Sequence, residues 1–185
     1  VQSLPFTFRA AIDTTQYRTR ILSPVLHLGW GEKTFLPQLR NLARELGSSE
    51  KKVRQAYHAA LRAQTRFRNK LLQRGSEALA AAPEGTPIVV IVSRPYNGCD
   101  PGLTFKIPEM LRDLGALAVP VDMLAGAFPA SDSDLRHMYW RSGQKILAAA
   151  PVIARNQRLQ AVYITNFGCG PDSFIIKHFK RALQG

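Results

Sequence analysis

Ile88-Val89-Val90-Ile91-Val92 is an unbroken apolar run in which every residue is β-branched. A strand with one wet face alternates polar and apolar residues. A run with no polar member fits a strand buried on both faces, as in a parallel sheet covered by helices. Parallel strands need long crossover connections, and the sequence after Val92 supplies them. A helical pattern runs from about Leu103 to Leu114 and closes at Gly115, ahead of a second strand, Leu117 to Val121. A loop through Ala125-Gly126-Ala127-Phe128-Pro129 follows. Asp132 or Ser133 can cap the next helix, which is expected to carry Met138-Tyr139-Trp140 and reach Ala149 or beyond, with a kink or restart at Pro151. Gln160 to Thr165 reads as a third strand. Asp172 to Leu183 reads as a final helix with Phe174, Ile175, Ile176, Phe179 and Leu183 on its inner side. Strand, helix, strand, helix, strand, helix predicts an α/β fold: a Rossmann-like three-layer unit with a short parallel sheet.

What precedes this unit reads differently. Ala82-Pro83-Glu84-Gly85-Thr86-Pro87 is too rich in turn residues for a regular element. It divides the chain into a mostly helical region, 1–85, and the α/β domain, 86–185, which reads as truncated. Phe35, Leu36, Leu39, Leu42, Ala43 and Leu46 recur at helical spacing over Glu32 to Leu46. Gly47 ends that helix, and Ser48 or Ser49 can cap the next, from about Glu50 to at least Leu72. Its apolar face is Val53, Tyr57, Ala60, Leu61, Phe67 and Leu71. Opposite, Arg54, His58, Arg62, Arg66, Lys70 and Arg74 form a basic stripe. Residues 1–31 show no clear period.

The formal net charge is +12, and two-thirds of the excess lies in residues 1–85, which hold 14 Lys/Arg against 6 Asp/Glu. Such a balance favours phosphates or acidic surfaces; a solvated helix face beside an acidic partner explains it equally. No apolar stretch reaches membrane-spanning length and no signal-peptide pattern opens the chain. Two cysteines make no disulfide framework, so a reducing, cytoplasmic setting is expected. The first residue is Val, and the last segment is amphipathic up to the end. Both features suggest a segment of something longer.

In a parallel sheet all strands end on one edge, where ligands bind. The segment 93–102 after the first strand, Asp122 after the second and Asn166–Asp172 after the third therefore converge. Cys169 sits between Gly168 and Gly170, which allow unusual backbone angles and close approach. Pro171 suits a first helical turn, whose N–H groups favour a thiolate. A thiolate there can ligate iron or act as a nucleophile, and a buried structural thiol is the rival reading. Cys99, on the first loop, stays open as a second participant. Arg94, Tyr96 and Asn97 can hold an anionic or carbonyl group, or Arg94 can anchor its loop. Met138, Tyr139, Trp140 and Arg141 can line a pocket or pack in the core. The four histidines show no ligand spacing, and no Walker or GxGxxG pattern is present.

Three motifs carry a family resemblance: Arg94-Pro95-Tyr96-Asn97 with Asp100-Pro101-Gly102, Met138-Tyr139-Trp140-Arg141 with Gly143-Gln144, and Asn166-Phe167-Gly168-Cys169-Gly170-Pro171-Asp172-Ser173-Phe174. Together they resemble the large proteins related to 2-hydroxyacyl-CoA dehydratases and benzoyl-CoA reductases, many of which fuse an activase ATPase module to dehydratase-like modules. The likeness covers residues 87–185 well and the helical part weakly. It implies a fragment of an iron–sulfur protein. In that family an ATP-dependent activase drives one low-potential electron into a 4Fe–4S cluster on a dehydratase partner, which acts on an acyl-CoA. Carried over, Cys169 is a cluster ligand, and Arg94, Tyr96, Asn97 and Asp172 shape its surroundings. The ATPase signature is absent, and two cysteines cannot complete a four-ligand site. The cluster is thus expected in the full-length protein and not in this piece alone, which is expected to be inactive in isolation. The activase module and other dehydratase-like domains are the expected partners. A regulatory partner-binding module and a nucleic-acid binder using the basic helix are the alternatives, the latter weaker.

Overall fold

The computed structural model describes residues 3–13, 20–127, 134–166 and 168–184. In chain order the elements are α1 (Leu4–Ala11), α2 (Glu32–Glu45), α3 (Glu50–Ala81), β1 (Ile88–Val92), α4 (Pro95–Gly98), α5 (Ile107–Asp113), β2 (Leu117–Pro120), α6 (Arg141–Ala154), β3 (Leu159–Tyr163) and α7 (Gly170–Gln184). Short 3-10 turns stand at Leu28–Trp30, Val121–Met123 and Asp134–His137. Two compact units result, residues 1–65 and 66–185.

The first unit has a small core. Leu36 and Ala43 of α2 meet Val53 of α3, with Leu39 and Tyr57 packed around them. Gly47 ends α2 as expected: it adopts φ +66°, and the Ser48 N–H reaches back to the Ala43 carbonyl at 2.8 Å. Ser49 caps α3 by accepting from the Lys52 N–H. The expected apolar face of α3 is not covered along its length, since Leu61 and Phe67 are exposed.

The second unit is an α/β Rossmann-like unit. Its sheet has the order β2-β1-β3, all parallel, with Ile88 level with Leu117 on one side and Leu159 on the other. All five residues of β1 are buried, which accounts for the absence of any polar residue in the run. Each contributes roughly 1.5–3 kcal/mol of burial free energy. Around it, Val119, Val121, Ile146, Ala149, Ala150, Ile153, Ile175 and Phe179 complete one contiguous core. A Cβ on Gly75 of α3 would strike the Met123 carbonyl, so the last part of that helix approaches the turn after β2 at glycine distance.

Several expectations change. The helix predicted from Leu103 begins only at Ile107. The N–H groups of Gly102 and Leu103 both donate to Asp100 Oδ1, and Phe105 and Lys106 take positive φ, so a side-chain-locked turn uses up those residues. Met138, Tyr139 and Trp140 precede α6 and do not belong to it, with Trp140 as its N-cap. Pro151 does not end α6, because Ile146, Ala149, Ala150 and Ile153 anchor the turns on both sides. Phe174, expected inside α7, is exposed, while Ile175 and Phe179 are buried. Phe128, Pro129, Asp132, Ser133 and Phe167 lie outside the described residues.

Candidate functional site

From β1 the chain passes to β2 on one side of the sheet, then returns past β1 to β3 on the other. The gap between β1 and β3 is therefore the topological switch point, where loops diverge and leave a crevice. The loop after β1 and the loop after β3 border it.

Arg94 ends the first loop's extended stretch and precedes α4. Its Nε donates to Asp172 Oδ1 at 2.8 Å, in the first turn of α7. The Thr165 hydroxyl donates to Asp172 Oδ2 at 2.9 Å. Asp172 is 1% exposed, so these side chains stand in for its lost water. Burial alone pulls the pKa of Arg94 down. The hydrogen bond and charge of Asp172 outweigh it, with Tyr96 and Cys169 adding to them, and the guanidinium ends above its ordinary value.

Polar capacity is left over in the same region. Arg94 Nη2, the Tyr163 hydroxyl and both amide atoms of Asn97 are buried with no hydrogen-bond partner among the described residues. Buried polar atoms nearly always have one. Burial first, then the charge of Asp172, pushes the Tyr163 hydroxyl well above the ordinary tyrosine range, with Arg94 opposing.

Cys169 is half-buried at the start of α7. Its N–H donates to the Asn166 carbonyl at 3.2 Å, and its own carbonyl accepts from the Ser173 N–H and hydroxyl at 2.9 and 3.0 Å. Gly168 has φ +78°, and a Cβ on Gly168 or Gly170 would meet no atom within 4 Å. The backbone flanking the sulfur thus offers no steric wall to an incoming group.

The structure brings together Arg94, Asp172 and Cys169. Tyr96, half exposed, is near enough to Arg94 to act on its charge. Asn97 is fully buried on α4. Cys99 keeps other company on the β2 side, where partial desolvation and the charge of Asp122 raise its thiol and Lys145 opposes them. Lys145 itself pairs with Asp122. Sequence reasoning missed Thr165, Tyr163 and Lys145; a hydroxyl residue just past the third strand was the available signal for Thr165. Met138, Tyr139 and Trp140 line a cavity of about 860 Å³ on the α6–α7 side, and Arg141 does not.

A complete 4Fe–4S site does not fit this chain. Among the described residues no three His, Cys, Asp or Glu side chains come together as metal ligands, and such a cluster takes four thiolates. Nor, among the described residues, is any helix long and apolar enough to cross a membrane.

Residues 1–124 match the family model described as CoA enzyme activase uncharacterised domain (DUF2229). The chain belongs to this family. No curated protein and no solved structure matches it. The activase-related match takes in the helical segment, which was expected to carry the likeness only weakly, together with Arg94, Tyr96 and Asn97; Cys169 and Asp172 lie beyond it. The finding supports a CoA-enzyme activase and dehydratase-related family without singling out the 2-hydroxyacyl-CoA dehydratases.

Proposed function

We propose that this chain contributes one wall of an iron–sulfur site in a longer CoA-enzyme activase-related protein, with Cys169 as a single cluster thiolate. The observation that carries the reading is the Arg94–Asp172–Thr165 network beside Cys169 at the switch point. Asp172 fixes the guanidinium by one face and so holds a cation at this edge of the sheet. The remaining ligands come from outside this chain. When bound, the cluster would supply low-potential electron transfer to a dehydratase-type partner acting on an acyl-CoA. This chain's own residues position a cation and bury the carboxylate that holds it. Anaerobic reconstitution of the full-length protein with iron and sulfide tests it. Cys169→Ala is expected to abolish the visible cluster absorbance, while Cys99→Ala leaves it unchanged; unchanged absorbance in Cys169→Ala removes that residue as a ligand.

A further inference from the structure

The first unit carries a surface of a different kind. On α3, Lys51, Arg54, Gln55, His58 and Arg62 line an open groove of about 480 Å³, and each of them is basic or polar. Lys51, Arg54 and Arg62 are exposed, and the spacing of the five residues keeps them on one face of the helix. The opposite face is fixed. Val53 is buried with Leu36 and Ala43, and Tyr57 packs on Phe35 at 5.8 Å. Glu50 is bound to Arg40 of α2 at 2.7 Å. Tyr57 also lies against the His58 ring, 5.4 Å between centroids. The cations therefore stand on a braced helix.

Their charge is not answered within the unit. No Asp or Glu occurs in Lys51–Thr65. Among the described residues, no carboxylate forms an ion pair with Lys51, Arg54 or Arg62. Glu45 is taken by Arg20, Glu50 by Arg40, and Asp13 has an interaction of its own. Glu32 shares a neighbouring depression with Arg54 without pairing to it. Residues 1–2 and 14–19, outside the described residues, add no Asp or Glu.

Such a surface discriminates among anionic partners. A protein interface draws its affinity from a buried aromatic or apolar centre and depletes charge there, and this groove has no such centre. A membrane-bound helix sets apolar side chains beside its cations. Here Val53 and Tyr57 are used by the core, which leaves Leu61 as the one exposed large hydrophobic residue of Lys51–Thr65. A phosphodiester backbone is held by several Lys and Arg contacts with no apolar help.

We infer that this face of α3 binds the phosphodiester backbone of a nucleic acid, without regard to base sequence. Lys51, Arg54 and Arg62 contact phosphates, and Gln55 and His58 supply neighbouring hydrogen bonds. The surface shares no residue with the proposed cluster site, and either can fail without the other.

The test uses the whole chain, a labelled duplex and a labelled single strand of about 20 nucleotides each, with binding followed by fluorescence anisotropy. Three phosphate contacts predict a log–log salt slope of about −2.7 for the duplex and about −2.1 for the single strand. Between about 50 and 200 mM salt, the affinities then fall roughly 40-fold and 20-fold. Arg54→Glu with Arg62→Glu, checked as folded by circular dichroism, is expected to weaken binding by about tenfold or more and to flatten the slope by about 2. Lys177→Glu with Arg181→Glu makes the same charge change on exposed positions of α7 and is expected to keep the affinity within about threefold. Equal loss in both variants shows that net charge alone is responsible and overturns the inference. Absent binding at low salt, or a slope flatter than about −1, does so too. Phosphatidylserine vesicles or polyglutamate bound more tightly than either nucleic acid, and released by the Arg54 and Arg62 changes, would assign the face to another class of partner and equally overturn it.

Discussion

The two gaps beside β1 are built alike and finish differently. On the β2 side Lys145 of α6 pairs with Asp122; on the β3 side Arg94 pairs with Asp172 of α7. Each pair joins the end of a strand to a helix that packs on the sheet. Asp122 retains 20% side-chain exposure and Asp172 only 1%. A lysine offers a compact point charge, whereas a guanidinium is a rigid fork with five donors. After one of those donors is spent on Asp172, Nη2 remains buried and unanswered, with the Tyr163 hydroxyl also unanswered at the end of β3. Neither Lys145 nor Asp122 leaves such an atom. The lesson is that the β2 pair closes on itself and holds the fold together, while the β3 pair holds the fold and keeps donors in reserve.

The largest expected effect breaks the β3 pair. Asp172→Ala strands a buried guanidinium and should cost about 3–5 kcal/mol of stability in urea denaturation. A loss below about 1 kcal/mol would mean that the pair is effectively solvated, and the contrast between the gaps would disappear. Lys145→Ala should cost less, about 1–3 kcal/mol, because Asp122 can recover water through its exposed edge. If the two losses come out equal, exposure is not what separates the pairs.

Smaller effects sharpen the comparison on each side. Tyr163→Phe removes an unpartnered buried hydroxyl and should leave stability unchanged or raise it by about 1 kcal/mol at neutral pH. The sign at alkaline pH follows from the raised tyrosine. The unfolded chain releases this proton near 10, the folded chain later, so the wild type loses stability as pH rises past 10. Thermal melts across that range should show a shallower decline for Tyr163→Phe. The thiol of Cys99 is raised as well, so its part of the decline begins nearer 9 and should vanish in Cys99→Ser. At the bottom of the scale, Arg112 and Asp113 form an exposed pair at 2.9 Å. Arg112→Ala should change stability by no more than about 0.5 kcal/mol; a larger loss would show that exposure is a poor guide to the worth of ion pairs in this protein.

Legibility in the sequence tracked how local each cause was. The central strand could be read because five consecutive β-branched residues have few other uses. The ends of α2 and α5 could be read because Gly47 and Gly115 supply the left-handed residue that a helix terminus takes. The start of α5 could not, since Asp100 folds back onto two N–H groups and overrides a plausible helical pattern. Trp140 looked helical and proved to be a cap. Phe174 fits an apolar stripe by spacing, yet it faces the α6–α7 groove and not the core. Arg94, Cys169 and Asp172 could be placed on one edge by topology, but their pairing, and the roles of Thr165 and Tyr163, could not.

By itself, then, the sequence determined a parallel α/β unit after a helical segment, and it determined that Arg94 and Cys169 sit on loops at the carboxyl ends of strands. These follow from period, turn chemistry and strand direction, all of which act over a few residues. Only the tertiary structure decided which charges meet. Arg94 and Asp172 are 78 residues apart, and they touch because β3 lies beside β1 on the side opposite β2. Had β3 added outside β2, the same loops would carry the same residues and the buried pair beside Cys169 would not exist.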